Sequence, residues 1–207
     1  MNERYATKTL TMLTVTLSLY LILWQVLAAF MELPVYYYGR LIELLGLGLF
    51  AALSVTTPMK FEDMGIVVKA KTLFRSLAEG LFVGSVFLLI LLVMRPVLGV
   101  NAPFSWHVPG DVSRATYFVV APLQEILAKS AMLYSFELVF EKRHPRLAVC
   151  MSALVFGAFH VVYGIKMMLL AAALSIVTGV MFCRNRCVWG CAVAHFACGF
   201  FPACFGF

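Results

Sequence analysis

Four ionisable residues lie deep inside apolar stretches of this chain: Glu125 and Lys129 in APLQEILAKSAML, His160 at the end of FGAFH, and His195 in AVAHFACGFF. In a bilayer a charged group at a helix centre costs about 3 kcal/mol, and those retained there face the protein interior and mark sites. One carboxylate with two imidazoles is the side-chain set of a general base or of a bound metal. A glutamate and a histidine can hold and deprotonate a water. A second histidine can stabilise the oxyanion that forms when that water attacks a carbonyl.

Each residue also has a plainer reading. Glu125 and Lys129 are four apart and share a helix face, where an intrahelical pair would ease insertion. Gln124 lies about 100° round the helix from Glu125. It is either a second ligand of the same site or an interhelical hydrogen bonder. A lone His160 serves packing as readily as chemistry, with Phe156 one turn before it on the same face. Cys183, Cys187, Cys191 and His195 form a ladder of four-residue steps. Such a step drifts about 40° each time, so only neighbouring rungs can meet one ion. Small residues at helix interfaces account for the cysteines better than zinc does. No cofactor is expected. Two histidines and a carboxylate are donors enough for a metal, and activity that survives chelation would dismiss one.

What must position these residues is a set of membrane helices. The chain has 207 residues, of which 63% are hydrophobic and 13% charged, against about a quarter charged in a soluble domain. Seven apolar segments stand out: about Leu10 to Phe30, Leu41 to Val55, Leu77 to Leu98, Ala115 to Phe140, Leu147 to Tyr163, Met167 to Cys183 and Val188 to Phe205. Several approach or exceed the roughly 20 residues that cross a bilayer. The expected fold is all-α, a polytopic bundle of about seven transmembrane helices. Lys60 to Arg75 is polar and reads as an interfacial connector. A loop with Asn101, Trp106 and Asp111 precedes the fourth segment, with Trp106 as an interfacial anchor. The first segment is too long for a signal-peptide core and has no small-x-small site ahead of Met31, so no cleaved leader is expected. The six cysteines fall almost entirely in apolar runs and read as free thiols.

The net charge of +6 records topology rather than nucleic-acid binding, because no basic run is interleaved with aromatics. With the N-terminus inside, the inner regions hold Arg4, Lys8, Lys60, Lys69, Lys71, Arg75, Lys142, Arg143, Arg146, Arg184 and Arg186. The outer regions hold Arg40, Arg95, Arg114 and Lys166. Eleven against four places the N-terminus in the cytoplasm and, after seven crossings, the C-terminus outside. On helical rise, Glu125 lies about 16 Å below Arg114, His160 about 9 Å below Lys166 and His195 about 13 Å above Arg186. In a core about 30 Å thick all three fall between the midplane and the outer half, where they can meet.

Three elements in this order, PLQEILAKS, FGAFH from Phe156 to His160 and HFACG from His195 to Gly199, resemble the CPBP family of CAAX-protease and bacteriocin-processing (Abi) membrane proteins. That family's pattern is EExxxR, FxxxH and HxxxN, and the likeness covers about Val119 to Phe201. The resemblance implies a glutamate-dependent intramembrane endopeptidase acting on a peptide or protein substrate at the lipid bilayer, or a non-catalytic scaffold. It implies that Glu125 and His160 activate water, that His195 binds the oxyanion, that Phe156 packs beside His160, and that Lys129 replaces the arginine bracing the glutamates. The chain departs from the pattern in three places. The double glutamate is single: counted back from Lys129, Gln124 holds the first position and Glu125 the second; counted forward from Pro122, Glu125 holds the first. Lysine for arginine loses a bidentate contact, and Gly199 stands at the asparagine position. The alternative from another class is therefore an inactive scaffold or chaperone binding a partner membrane protein. A small transporter is weaker, with no paired broken helices in view. The whole chain, 1–207, is expected to form one membrane domain: 1–113 as N-terminal helices and connector, 114–207 as the motif-bearing core. The expected setting is a bacterial cytoplasmic membrane.

Overall fold

The computed structural model describes residues 3–32, 34–57, 59–100, 105 and 112–205. Asn101, Pro103, Trp106, His107, Pro109, Gly110 and Asp111, and with them the anchor expected at Trp106, lie outside the described residues. So do Pro58 and the side chains of Arg4 and Arg114.

Every apolar segment forms a helix, and no strand occurs among the described residues. Helices α1 (Glu3–Phe30), α2 (Val35–Thr56) and α3 (Ala70–Val97) come first. Helix α4 runs over 112–139 in three parts: α-helical Val112–Glu125, π-helical Ile126–Leu133 and α-helical Tyr134–Val139. Helices α5 (Pro145–Ala158), α6 (Ile165–Asn185) and α7 (Val188–Cys204) follow. The protein is an all-α membrane bundle, with about seven helices. By length and composition α1, α2, α3 and α6 can each cross a bilayer; α5 and α7 are shorter apolar helices.

Hydropathy marked the lipid-facing part of each helix rather than its ends. Helices α1 and α3 begin before their apolar runs, because a helix leaving hydrocarbon keeps its backbone bonds while its side chains turn polar. Lys71 and Arg75 are therefore in the first turns of α3, not in the connector. The remainder of the connector is tied into the bundle. Met64 is fully buried, its carbonyl accepts the Ser130 hydroxyl at 2.7 Å, and Trp189 Nε1 donates to the Ile66 carbonyl at 2.9 Å. Helix α5 stops at Ala158, short of the expected Tyr163. A single 3₁₀ turn, Val161–Tyr163, follows it.

Two packing features fix the site. Helices α3 and α7 touch backbone to backbone: a Cβ on Gly80 would collide with the Gly190 backbone, and one on Gly190 with the Ser76 backbone. Small residues allow this approach, and van der Waals packing then holds the pair in the membrane. Helix α4 is the centre of the bundle, in contact with α1, α2, α5, α6 and α7. Its π-helical stretch is buried throughout Leu127 to Leu133. It is buried on every side because α2, α5, α6 and α7 pack against it; its wider i to i+5 turn is a form that recurs at functional sites.

Candidate active site

Glu125 ends the first part of α4, just where the helix widens. It is completely buried, as is Lys129. Its Oε1 lies 2.9 Å from His195 Nδ1 on α7, a charge-assisted contact if the ring carries its proton there. Its Oε2 lies 3.6 Å from Lys129 Nζ and accepts no hydrogen bond among the described residues. The ammonium is instead held by α6, donating to Ser175 Oγ at 2.9 Å and to the Ser175 carbonyl at 3.3 Å. The Glu125–Lys129 pair is thus part of a network spanning α4, α6 and α7, rather than an intrahelical pair alone.

His160 enters from another direction. It occupies the turn after α5, its Nδ1 2.8 Å from the Phe156 carbonyl, which leaves Nε2 as the outward nitrogen. Tyr20 of α1, itself fully buried, donates its hydroxyl to the neighbouring Phe159 carbonyl at 3.1 Å and so pins the turn. Gly164, at φ +90°, closes it; that conformation belongs to glycine.

Phe156 joins the pieces. Its ring centroid is 4.7 Å from that of His160, 5.8 Å from that of His195, and 5.7 Å from Lys129 Nζ. Glu125 thus meets His195 directly, and His160 joins them through Phe156, which the two histidines flank. A mostly apolar cavity of about 240 Å³ opens between α1, α2, α4 and α5, lined among others by Tyr20, Gln124, Leu127, Phe156, His160 and Tyr163. Glu125 and His195 lie behind this wall rather than on it.

Gln124 bonds between helices. Its Nε2 donates to Glu43 Oε1 on α2 at 2.8 Å, and Glu43 Oε2 is 3.2 Å from Arg40 Nε. Glu43 and Arg40 were outside the sequence motifs; a charged pair near the start of the second apolar segment was their only signal. Ser175, Tyr20 and Tyr117 gave none. The cysteine ladder does not exist as one helix face. Cys183 belongs to α6 and Cys187 caps α7, with the polar break between them. Among the described residues no group of three or more His, Cys, Asp or Glu side chains is arranged to hold a metal.

Residues 111–201 match the protein family described as Rce1-like, type II CAAX prenyl endopeptidase Rce1-like. This stretch is similar to that family. The match covers Glu125, His160 and His195 together and bears out the CPBP resemblance read from the three motifs. No curated protein and no solved structure matches the chain. The Rce1-like family suggests CAAX-type intramembrane protease activity in general and a peptide or protein substrate at the membrane. With its apolar helices, the protein is an integral membrane protein.

Proposed function

We propose that the protein is an intramembrane endopeptidase that cleaves a membrane-proximal peptide bond with water activated by Glu125 and His160. The observation that carries the reading is Glu125 itself. It is a fully buried carboxylate with one oxygen 2.9 Å from His195 Nδ1 and the other 3.6 Å from Lys129 Nζ. Burying a carboxylate is costly even when it is paired, and one held between an imidazole and an ammonium inside a helix bundle is a functional-site candidate. In the proposed reaction the carboxylate takes a proton from water, the hydroxide adds to the carbonyl carbon, and the tetrahedral intermediate collapses as the proton passes to the leaving amine. His195 directs Nδ1 at Glu125, so its Nε2 is the nitrogen left for the oxyanion, to which it donates when doubly protonated. Lys129 and Phe156 position the pair. The apolar cavity beside His160 suits a substrate with a long hydrocarbon group, as the prenyl substrates named for the matched family have. We take the N-terminus to be cytoplasmic, from the distribution of basic residues.

A second reading has its own support. The residue that lines the cavity beside His160 is the amide Gln124, not Glu125, and an amide is no base. On this reading the protein is a non-catalytic scaffold, and Glu125, Lys129 and His195 are a polar lock between α4, α6 and α7.

The test is cleavage of an isoprenylated CAAX-type peptide by the purified protein in proteoliposomes. The endopeptidase reading requires turnover by the native chain and its loss in a folded Glu125→Gln, Lys129→Met double variant. A folded native protein that cleaves neither prenylated nor plain membrane-proximal peptides leaves the scaffold.

A further inference from the structure

Oxyanion holes commonly combine more than one donor, and the proposed site names only His195. Gly199 is four residues after His195, one turn along the same face of α7. A Cβ added at Gly199 would run into the hydroxyl and ring of Tyr117, from α4. The tyrosine hydroxyl thus stands where a side chain at 199 would begin. The Tyr117 ring also meets the His195 ring edge-on, with centroids 6.0 Å apart and planes at 75°, and is backed by Phe196 at 6.1 Å. The phenol is half-buried, and it makes no hydrogen bond among the described residues, although a phenol carries one O–H donor. A hydroxyl held in place by two rings and a bare glycine, beside the histidine and without an acceptor of its own, is a preorganised donor.

We infer that Tyr117 is a second oxyanion donor, its O–H and the His195 ring binding the developing alkoxide from adjacent positions, and that residue 199 is glycine so that the phenol can stand there. The inference rests on the endopeptidase reading and adds a catalytic residue to it.

The experiment compares full-length Tyr117→Phe with the native protein, on the same isoprenylated peptide in proteoliposomes. The expected result is a fall in kcat of about a hundredfold to a thousandfold, the usual loss for one such donor, with KM and the unfolding temperature unchanged. Because the phenyl ring stays, a purely packing role would leave kcat alone. The pair Tyr117→Ala with Gly199→Asn supplies an amide donor from the other helix in the space the phenol leaves. It is expected to recover turnover that Tyr117→Ala alone loses. Native kcat in Tyr117→Phe, with a folded Glu125→Gln, Lys129→Met double variant inactive, overturns this inference and leaves the endopeptidase reading standing. No cleavage by the native chain overturns both.

Discussion

Glu125 Oε1 and His195 Nδ1 lie 2.9 Å apart although 70 residues separate them in the chain. The contact ties α4 to α7 at the middle of the bundle, with Lys129 on the other carboxylate oxygen. Any change at Glu125 therefore alters charge balance as well as chemistry. Glu125→Gln alone leaves the Lys129 ammonium without its carboxylate, and an unpaired buried charge is destabilising by about 3–5 kcal/mol. The informative variant is Glu125→Gln combined with Lys129→Met, which removes both charges. We expect the double variant to unfold near the native temperature and to show no cleavage. A double variant that still cleaves at the native rate would sink the assignment of Glu125.

Lys129→Met without the companion change is expected to be the harsher substitution for the fold. It strands a carboxylate that is completely buried and removes the bonds to Ser175 on α6. A loss of about 3–5 kcal/mol, read as a lowered unfolding temperature in detergent, is the expected outcome. Lys129→Arg should not restore stability, since the longer planar guanidinium has no room at a position with no exposure. Equal stability of native protein and Lys129→Met would show that the Lys129 pair and its bonds to Ser175 do not hold the fold together.

The helices were legible because a bilayer imposes one simple rule, a run of apolar side chains long enough to cross. Their ends were not, since Lys71 and Arg75 look like loop residues until the first turns of α3 are seen to extend past the apolar run. Helical rise alone places Glu125, His160 and His195 at similar depth; in the structure Glu125 meets His195, and among the described residues His160 is joined to them only through Phe156, which touches both rings. Three things were hidden. The π-helical stretch has the composition of an ordinary α-helix, so nothing in ILAKSAML announces the wider turn. Glu43 reaches Gln124 from a helix outside every motif. Tyr117 meets Gly199 across an interface that only packing defines, and glycine looks in sequence like a loss of function rather than a space made for a phenol. The cysteine ladder failed for a related reason: a regular spacing was read across the break at Arg184 to Arg186.

Gln124→Glu separates the two readings of the site from the opposite side. The new carboxylate would face Glu43 across a contact that is 2.8 Å in the native protein, and two carboxylates so close cannot both ionise. We expect the single variant to be destabilised by about 1–3 kcal/mol, the cost of leaving a buried polar group unsatisfied. Adding Glu43→Gln restores an amide–carboxylate bond with its direction reversed and places a carboxylate on the cavity wall beside His160. If Glu125 is the working base, this double variant cleaves no faster than the native protein. A gain in turnover from an inactive native chain would instead show that Gln124 holds the catalytic position and that the native protein is a scaffold.

The α3–α7 contact makes the last prediction, and it concerns the fold rather than the chemistry. A methyl on Gly190 has nowhere to go, since the atoms it meets are the Ser76 backbone and hydroxyl. Gly48 on α2 has nothing within 4 Å of the same added atom. Gly48→Ala should be neutral or stabilising by up to about 1 kcal/mol, as alanine favours helix over glycine. Gly190→Ala must push α7 away from α3, and forcing atoms into a packed interface costs about 1–3 kcal/mol or more. Because His195 rides on α7, the same displacement should lengthen its contact with Glu125. Gly190→Ala is therefore expected to lower the unfolding temperature and the cleavage rate together, while Gly48→Ala changes neither for the worse. Native stability in Gly190→Ala would mean that the two helices do not meet backbone to backbone.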